Sequence, residues 1–184
     1  MKKTFTFLLI FILAFNITGL AQQNIFMQIT DPSIISGESS SASHPNWIDI
    51  QAFQGGGCAT VTFSGGPGGT QPSIATTNDF TFTTYVNKTT AHFKTQMYTR
   101  SDIATVVVDF EINTGSPLIY YKIQMENAYV TSVTEAGSDA DGRPLCNITL
   151  SPSKFKYTYR PINANGSLGT AVIFGWDRTT NTAW

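Results

Sequence analysis

Two histidines and two cysteines are the side chains in this 184-residue chain best suited to proton transfer, metal binding or nucleophilic attack. Their spacing supports none of these. His44 and His92 lie in separate segments, without an HExxH pair, a His/Cys ligand cluster or a nucleophile elbow around either. His44 reads as a loop residue beside the strand that opens at Trp47, and His92 as a helix-surface residue. No base neighbours Cys58 or Cys146 in sequence, so neither reads as a nucleophile. Asp139 and Asp141, in SDADG, have the spacing that begins a calcium loop. The further spaced ligands and terminal Glu are missing, which makes the segment a solvated turn. Gly65-Gly66-Pro67-Gly68-Gly69 lacks the Lys-Ser/Thr of a phosphate loop. The expectation is a protein that is not an enzyme and carries no metal or cofactor.

The cysteines gain meaning from the start of the chain. Lys2 and Lys3 precede an apolar run from Phe7 to Phe15, and Gly19-Leu20-Ala21 offers small residues for cleavage, so residues 1–21 read as a secretory signal peptide. The run is shorter than the roughly 20 residues of a membrane span, and no Cys follows Ala21 to take a lipid. The mature chain, residues 22–184, is expected as one exported domain, periplasmic or extracellular. In an oxidising compartment Cys58 and Cys146 are chemically free to bridge; the other reading is a small buried thiol at Cys146 and an incidental one at Cys58. Without Lys2 and Lys3, nine basic residues face twelve acidic ones, with no basic run. That balance excludes electrostatic capture of nucleic acid or of an acidic membrane.

Hydrophobic periodicity then supplies the elements that position everything else. Alternation of apolar and polar residues predicts strands at 25–30, 47–53, 79–86, 104–112, 118–125, 128–134 and 145–150. DFTFTTYV, from Asp79 to Val86, is the clearest: Phe80, Phe82 and Val86 share one face. Between Thr89 and Thr99 the period changes, with Phe93 and Met97 four apart, which predicts one short helix capped by a Thr. Gly55 to Gly69 reads as a loop or a loosely paired hairpin. At the C-terminal end, Phe155, Tyr157 and Tyr159 alternate with Lys and Thr, and Val172, Phe174 and Trp176 follow after a turn. There Asn165-Gly166 and Gly169 are expected to supply positive φ. About eight strands and one helix predict a mainly β domain, either a closed barrel or a two-sheet sandwich.

Four blocks of this layout resemble the tube-protein family of type VI secretion, haemolysin-coregulated protein (Hcp). They are HPNWIDIQAF at His44, DFTFTTYVNKTT at Asp79, PLIYYKIQMENAYVTSV at Pro117, and the C-terminal hairpin with NGSLGTAVIFGWD at Asn165. The resemblance covers essentially the whole mature chain. It implies a β-barrel subunit that forms hexameric rings, which stack into a tube able to carry small protein effectors in its lumen and to engage other components of the secretion machine. It also implies that the extended loop, here 33–46, makes the stacking contact, with Ser33, Glu38, Ser41, His44 and Asn46 as candidate residues. The leader is a departure, because tube subunits assemble in the cytoplasm without one.

Strand 118–125 adds a physical expectation. Leu118 and Tyr120 lie opposite Ile119, Tyr121, Ile123 and Met125, so both faces are apolar and need packing surfaces. One face fills the barrel and the other meets a neighbour, with Tyr120, Lys122 and Tyr129 as candidate subunit-interface residues. The rival reading is an exported binding module for carbohydrate or protein that displays Trp47, Tyr120, Tyr121 and Tyr129. An outer-membrane barrel fits less well, since the expected strands are short and lack a lipid-facing apolar band.

Overall fold

The computed structural model describes residues 23–59, 61–62, 71–72, 76–113, 115–137 and 142–184. The expected leader, the pentapeptide Gly65 to Gly69, and Asp139 and Asp141 lie outside the described residues. The strands are β1 (Gln23–Thr30), β2 (Ile34–Ile35), β3 (Ile48–Cys58), β4 (Val61–Thr62), β5 (Gln71–Pro72), β6 (Thr76–Tyr85), β7 (Asp102–Asn113), β8 (Pro117–Ala136), β9 (Leu145–Tyr159), β10 (Val172–Asp177) and β11 (Thr182–Ala183). One helix, α1 (Thr89–Thr99), stands between β6 and β7.

Antiparallel pairing runs β6 to β3, β3 to β1, β1 to β7, β7 to β8 and β8 to β9, and β9 pairs back with β6. The sheet therefore closes, which decides between the two expected architectures in favour of a barrel. Alternation fills it. Met27 and Ile29, Ile48 and Ile50, Phe80 and Phe82, Val106 and Val108, Ile123 and Met125, and Ile148 and Leu150 point inward and are buried in one cluster. Outward rows carry hydroxyls and amides. Thr83 donates to Asn147 Oδ1 at 2.7 Å, and the Thr81 and Thr149 hydroxyls lie 3.2 Å apart. An apolar inside and a polar outside is the reverse of a lipid-embedded barrel.

Three boundaries differ from the expected ones. The runs 118–125 and 128–134 are a single strand, as are 145–150 and the aromatic run beginning at Phe155. Both long strands bend where the sequence pattern breaks. Met125 and Ala128, three apart, are both buried, as are Leu150 and Phe155, five apart; in an undisturbed strand odd separations lie on opposite faces. Asn127, at φ +46°, sits at the bend in β8, and its carbonyl accepts from Ser153 Oγ of β9. The third boundary is in the glycine-rich segment: Gly56 to Cys58 pair with Asn78 to Thr76, so β3 and β6 extend as a two-stranded ribbon.

Helix α1 forms where the period changes, and Asn87 and Thr90 share the amides at its start: the Thr90 hydroxyl accepts the Asn87 N–H at 3.2 Å. Asn87 Oδ1 accepts from the Thr89 N–H at 2.9 Å and from its hydroxyl at 2.6 Å. Phe93 enters the core, and Arg100 ends the helix at φ +59°. In the C-terminal turn Gly166 has φ +80°, whereas Gly169 does not adopt positive φ. Gly169 is needed for closeness instead, since a Cβ there would stand 2.9 Å from Pro161 Cγ.

Candidate assembly surfaces

The segment between β2 and β3 is a folded flap. The Gly37 N–H donates to the Asn46 carbonyl at 2.6 Å, Asn46 N–H to Ser39 O at 2.9 Å, and Ser39 N–H to Trp47 O at 2.8 Å. Gly37 permits this turn because a Cβ would lie 2.2 Å from Trp47 O. The flap lies over the outer face of β1 and β7, where His44 stacks on Phe26 at 4.4 Å and meets Trp47 edge-on at 4.7 Å. Expected as a plain loop residue, His44 is buried. Its Nε2 lies 3.2 Å from Asp109 Oδ2 and its Nδ1 3.3 Å from Glu111 Oε2, which also accepts from Ser43 Oγ at 2.6 Å.

The other candidate stacking residues divide between surface and packing. Ser33, Glu38 and Asn46 are exposed, and Ser41 is half-buried with its hydroxyl 2.9 Å from that of Ser43. Glu38 Oε1 accepts the Lys88 N–H at 2.9 Å, at the start of α1, where a carboxylate also meets the positive end of the helix dipole. The flap thus touches both the barrel wall and the helix, and leaves Glu38, Ser40, Ala42, Pro45 and Asn46 facing outward.

On β8, Tyr120 and Lys122 belong to one outward row. Tyr120 meets Tyr159 edge-on at 6.5 Å, and burial together with Tyr159 pushes its phenol up. Lys122 Nζ lies 3.2 Å from Asp109 Oδ1. Tyr129 does not join them: it is exposed past the Asn127 bend, nine residues and roughly 30 Å along the strand from Tyr120. Nor do Trp47, Tyr120, Tyr121 and Tyr129 form one ligand platform. Tyr121 turns inward against Phe110 and Tyr157, with burial pushing its phenol up, and Trp47 packs beside His44.

The possible disulfide is also corrected. Cys58 pairs with Thr76 and Cys146 with Thr84, eight residues apart on β6, or about 26 Å; a bridge needs Cα atoms within about 7 Å. Both are free thiols, Cys58 exposed and Cys146 buried, with burial pushing the Cys146 thiol up.

A third surface escaped the sequence reading. Val172, Ile173 and Phe174 of β10 are 65%, 61% and 55% exposed. One edge of β10 pairs with β9, but β11 covers its other edge only at Trp176 and Asp177. Beside it an apolar groove of about 500 Å³ runs between the ribbon tip, Gly56 to Ala59, and Phe155, Tyr157, Phe174 and Trp176. The available signal was three consecutive apolar residues, Val172 to Phe174, which no single buried face can accommodate.

A sequence model of the family described as "Type VI secretion system effector, Hcp" matches residues 26–159. Protein hcp1 of Pseudomonas aeruginosa is 26% identical over 160 residues, covering 86% of this chain and 96% of the relative. A solved type six secretion system protein superposes with a TM-score of 0.81 at 18% identity, covering 89% of this chain and 100% of the other. Hcp1 from Salmonella typhimurium superposes at 0.71 and 21% identity, covering 90% and 100%. The two structures share this fold, and the family match spans the barrel from β1 to the end of β9. The chain therefore belongs to the Hcp family of type VI secretion system proteins.

Proposed function

We propose that this protein is a structural, ring-forming tube subunit, exported after loss of residues 1–21, whose 22–184 domain assembles into hexameric rings that stack and enclose a lumen for small protein effectors. The observation that carries the reading is the run Val172 to Phe174, three consecutive apolar residues each more than half exposed. A monomer gains nothing from leaving such a strand in water, whereas a repeating contact between copies covers it. Closing a ring requires a heterologous contact, and stacking requires a second surface on the ring faces. Tyr120, Lys122 and β10 are assigned to the lateral contact, and the outward residues of the flap to stacking. With Cys58 exposed and Cys146 buried, self-association owes nothing to an internal bridge.

Light scattering after size exclusion, with negative-stain imaging, tests this on residues 22–184 with and without reductant. Rings or tubes of about six subunits per turn support it, and Phe174→Glu should return them to monomers. A monomer at all concentrations refutes the assembly role and leaves a binding module with the Hcp fold.

A further inference from the structure

Beneath the flap lies a charge cluster that barrel packing does not require. Asp109 and Glu111 point outward from β7, yet they are 2% and 4% exposed because the flap covers them. Closing the flap therefore takes two carboxylates out of water, which is unfavourable unless each is paired. Glu111 is served from the flap itself, by Ser43 and the His44 ring. Asp109 is divided: Oδ2 faces His44, and Oδ1 forms an ion pair with Lys122 Nζ of β8 at 3.2 Å while accepting no hydrogen bond among the described residues. Lys122 is the cation paired with this cluster from the barrel wall, and its side chain is 43% exposed, within reach of a neighbouring molecule.

We propose that Asp109 couples the two assembly surfaces. The Lys122 ammonium holds the flap closed by neutralising Asp109 beneath it, and a lateral contact from a second copy that draws Lys122 away loosens the flap. One carboxylate, with one oxygen toward each surface, makes the lateral and stacking contacts interdependent. The assignment of roles to the two surfaces rests on the assembly reading; the coupling between Lys122 and the flap is a property of the single chain and is tested there.

The test is hydrogen exchange at the Gly37 and Ser39 amides, whose bonds to Asn46 and Trp47 exist only in the folded flap. Lys122→Met keeps the apolar stem and removes the charge. It should speed exchange at both amides by about tenfold or more, as expected when a buried charge loses its partner, while amides of Phe82 and Ile148 in the barrel wall stay protected. Lys122→Arg should remain slow. In an Asp109→Asn background no charge needs neutralising, so Lys122→Met should change exchange by less than about twofold; this non-additivity is the signature of coupling through Asp109. Unchanged flap exchange in Lys122→Met overturns the proposal, and so does an equal rise in the Asp109→Asn background. If Lys122→Met fails to fold, Lys122→Gln replaces it. Light scattering on the same samples reports assembly separately, so a chain that never forms rings still shows whether Lys122 and the flap are coupled.

Discussion

Replacing Phe93 by Ala asks whether α1 is held by the barrel or merely lies against it. Phe93 is fully buried, and its ring is the helix's one large apolar side chain wholly inside the core; the other buried helix residues are Thr89 and Thr90. Phe→Ala in such a site costs about 3–5 kcal/mol, made up of lost transfer energy and the cavity left behind. Each kcal/mol lowers Tm by about 2–4 °C in a domain of this size, which predicts a fall of roughly 6–20 °C. The control is Tyr98→Ala on the same helix, at 80% exposure, where a change within about 0.5 kcal/mol is expected. Thermal melts followed by far-ultraviolet circular dichroism, with urea midpoints as a second measure, compare the pair. If the Phe93 variant melts within about 3 °C of wild type, or no lower than the Tyr98 variant, the helix does not depend on this anchor and the packing argument fails.

Three further outcomes follow from particular contacts. The Thr179 hydroxyl and the backbone N–H groups of Thr179 and Thr180 hold the Asp177 carboxyl at about 2, below its ordinary value. Its contribution is therefore fully present above about pH 4 and lost as pH falls through 2; acid titration of stability in Asp177→Asn should show a flatter limb over that window, and an unchanged limb refutes the assignment. At Gly175 a Cβ would stand 2.1 Å from Trp184 O, so Gly175→Ala should lift β11, remove Trp184 from Lys156, whose ammonium lies 4.5 Å from the indole centre, and red-shift the tryptophan emission. Mass spectrometry after brief thiol alkylation of the native chain should find Cys58 modified and Cys146 untouched, and reductant should leave Tm unchanged; a reductant-sensitive Tm would mean that the thiols do pair.

Much of the barrel was legible because half-buried strands repeat every two residues. Phe80 and Phe82 against Thr81 and Thr83 declare their inward face through alternation alone. Helix α1 was legible for the complementary reason, a change of period at Phe93 and Met97. The pattern failed at Asn127 and at Ser153-Lys154, where the alternation shifts by one residue; a local reading sees two strands, and only pairing across β8 and β9 shows that the ladder continues. The candidate assembly surfaces were less legible than the barrel. Tyr120 and Lys122 are neighbours on one row as expected, but Tyr129 is separated from them by the length of a strand, and the β10 edge was read only as a hairpin arm.

By itself the chain determined its class, its inward-facing rows, the helix at Thr89–Thr99, the absence of catalytic spacing, and through four blocks its resemblance to the Hcp family. Tertiary structure alone decided that the sheet closes, that Cys58 and Cys146 stand at opposite ends of β6, and that His44 is buried between Asp109 and Glu111. The reason is range. Periodicity is a local property carried by neighbours two to four residues apart, whereas closure, the cysteine separation and the His44 contacts depend on residues about 60 to 90 apart in sequence meeting or failing to meet, which is set by strand register across the whole barrel.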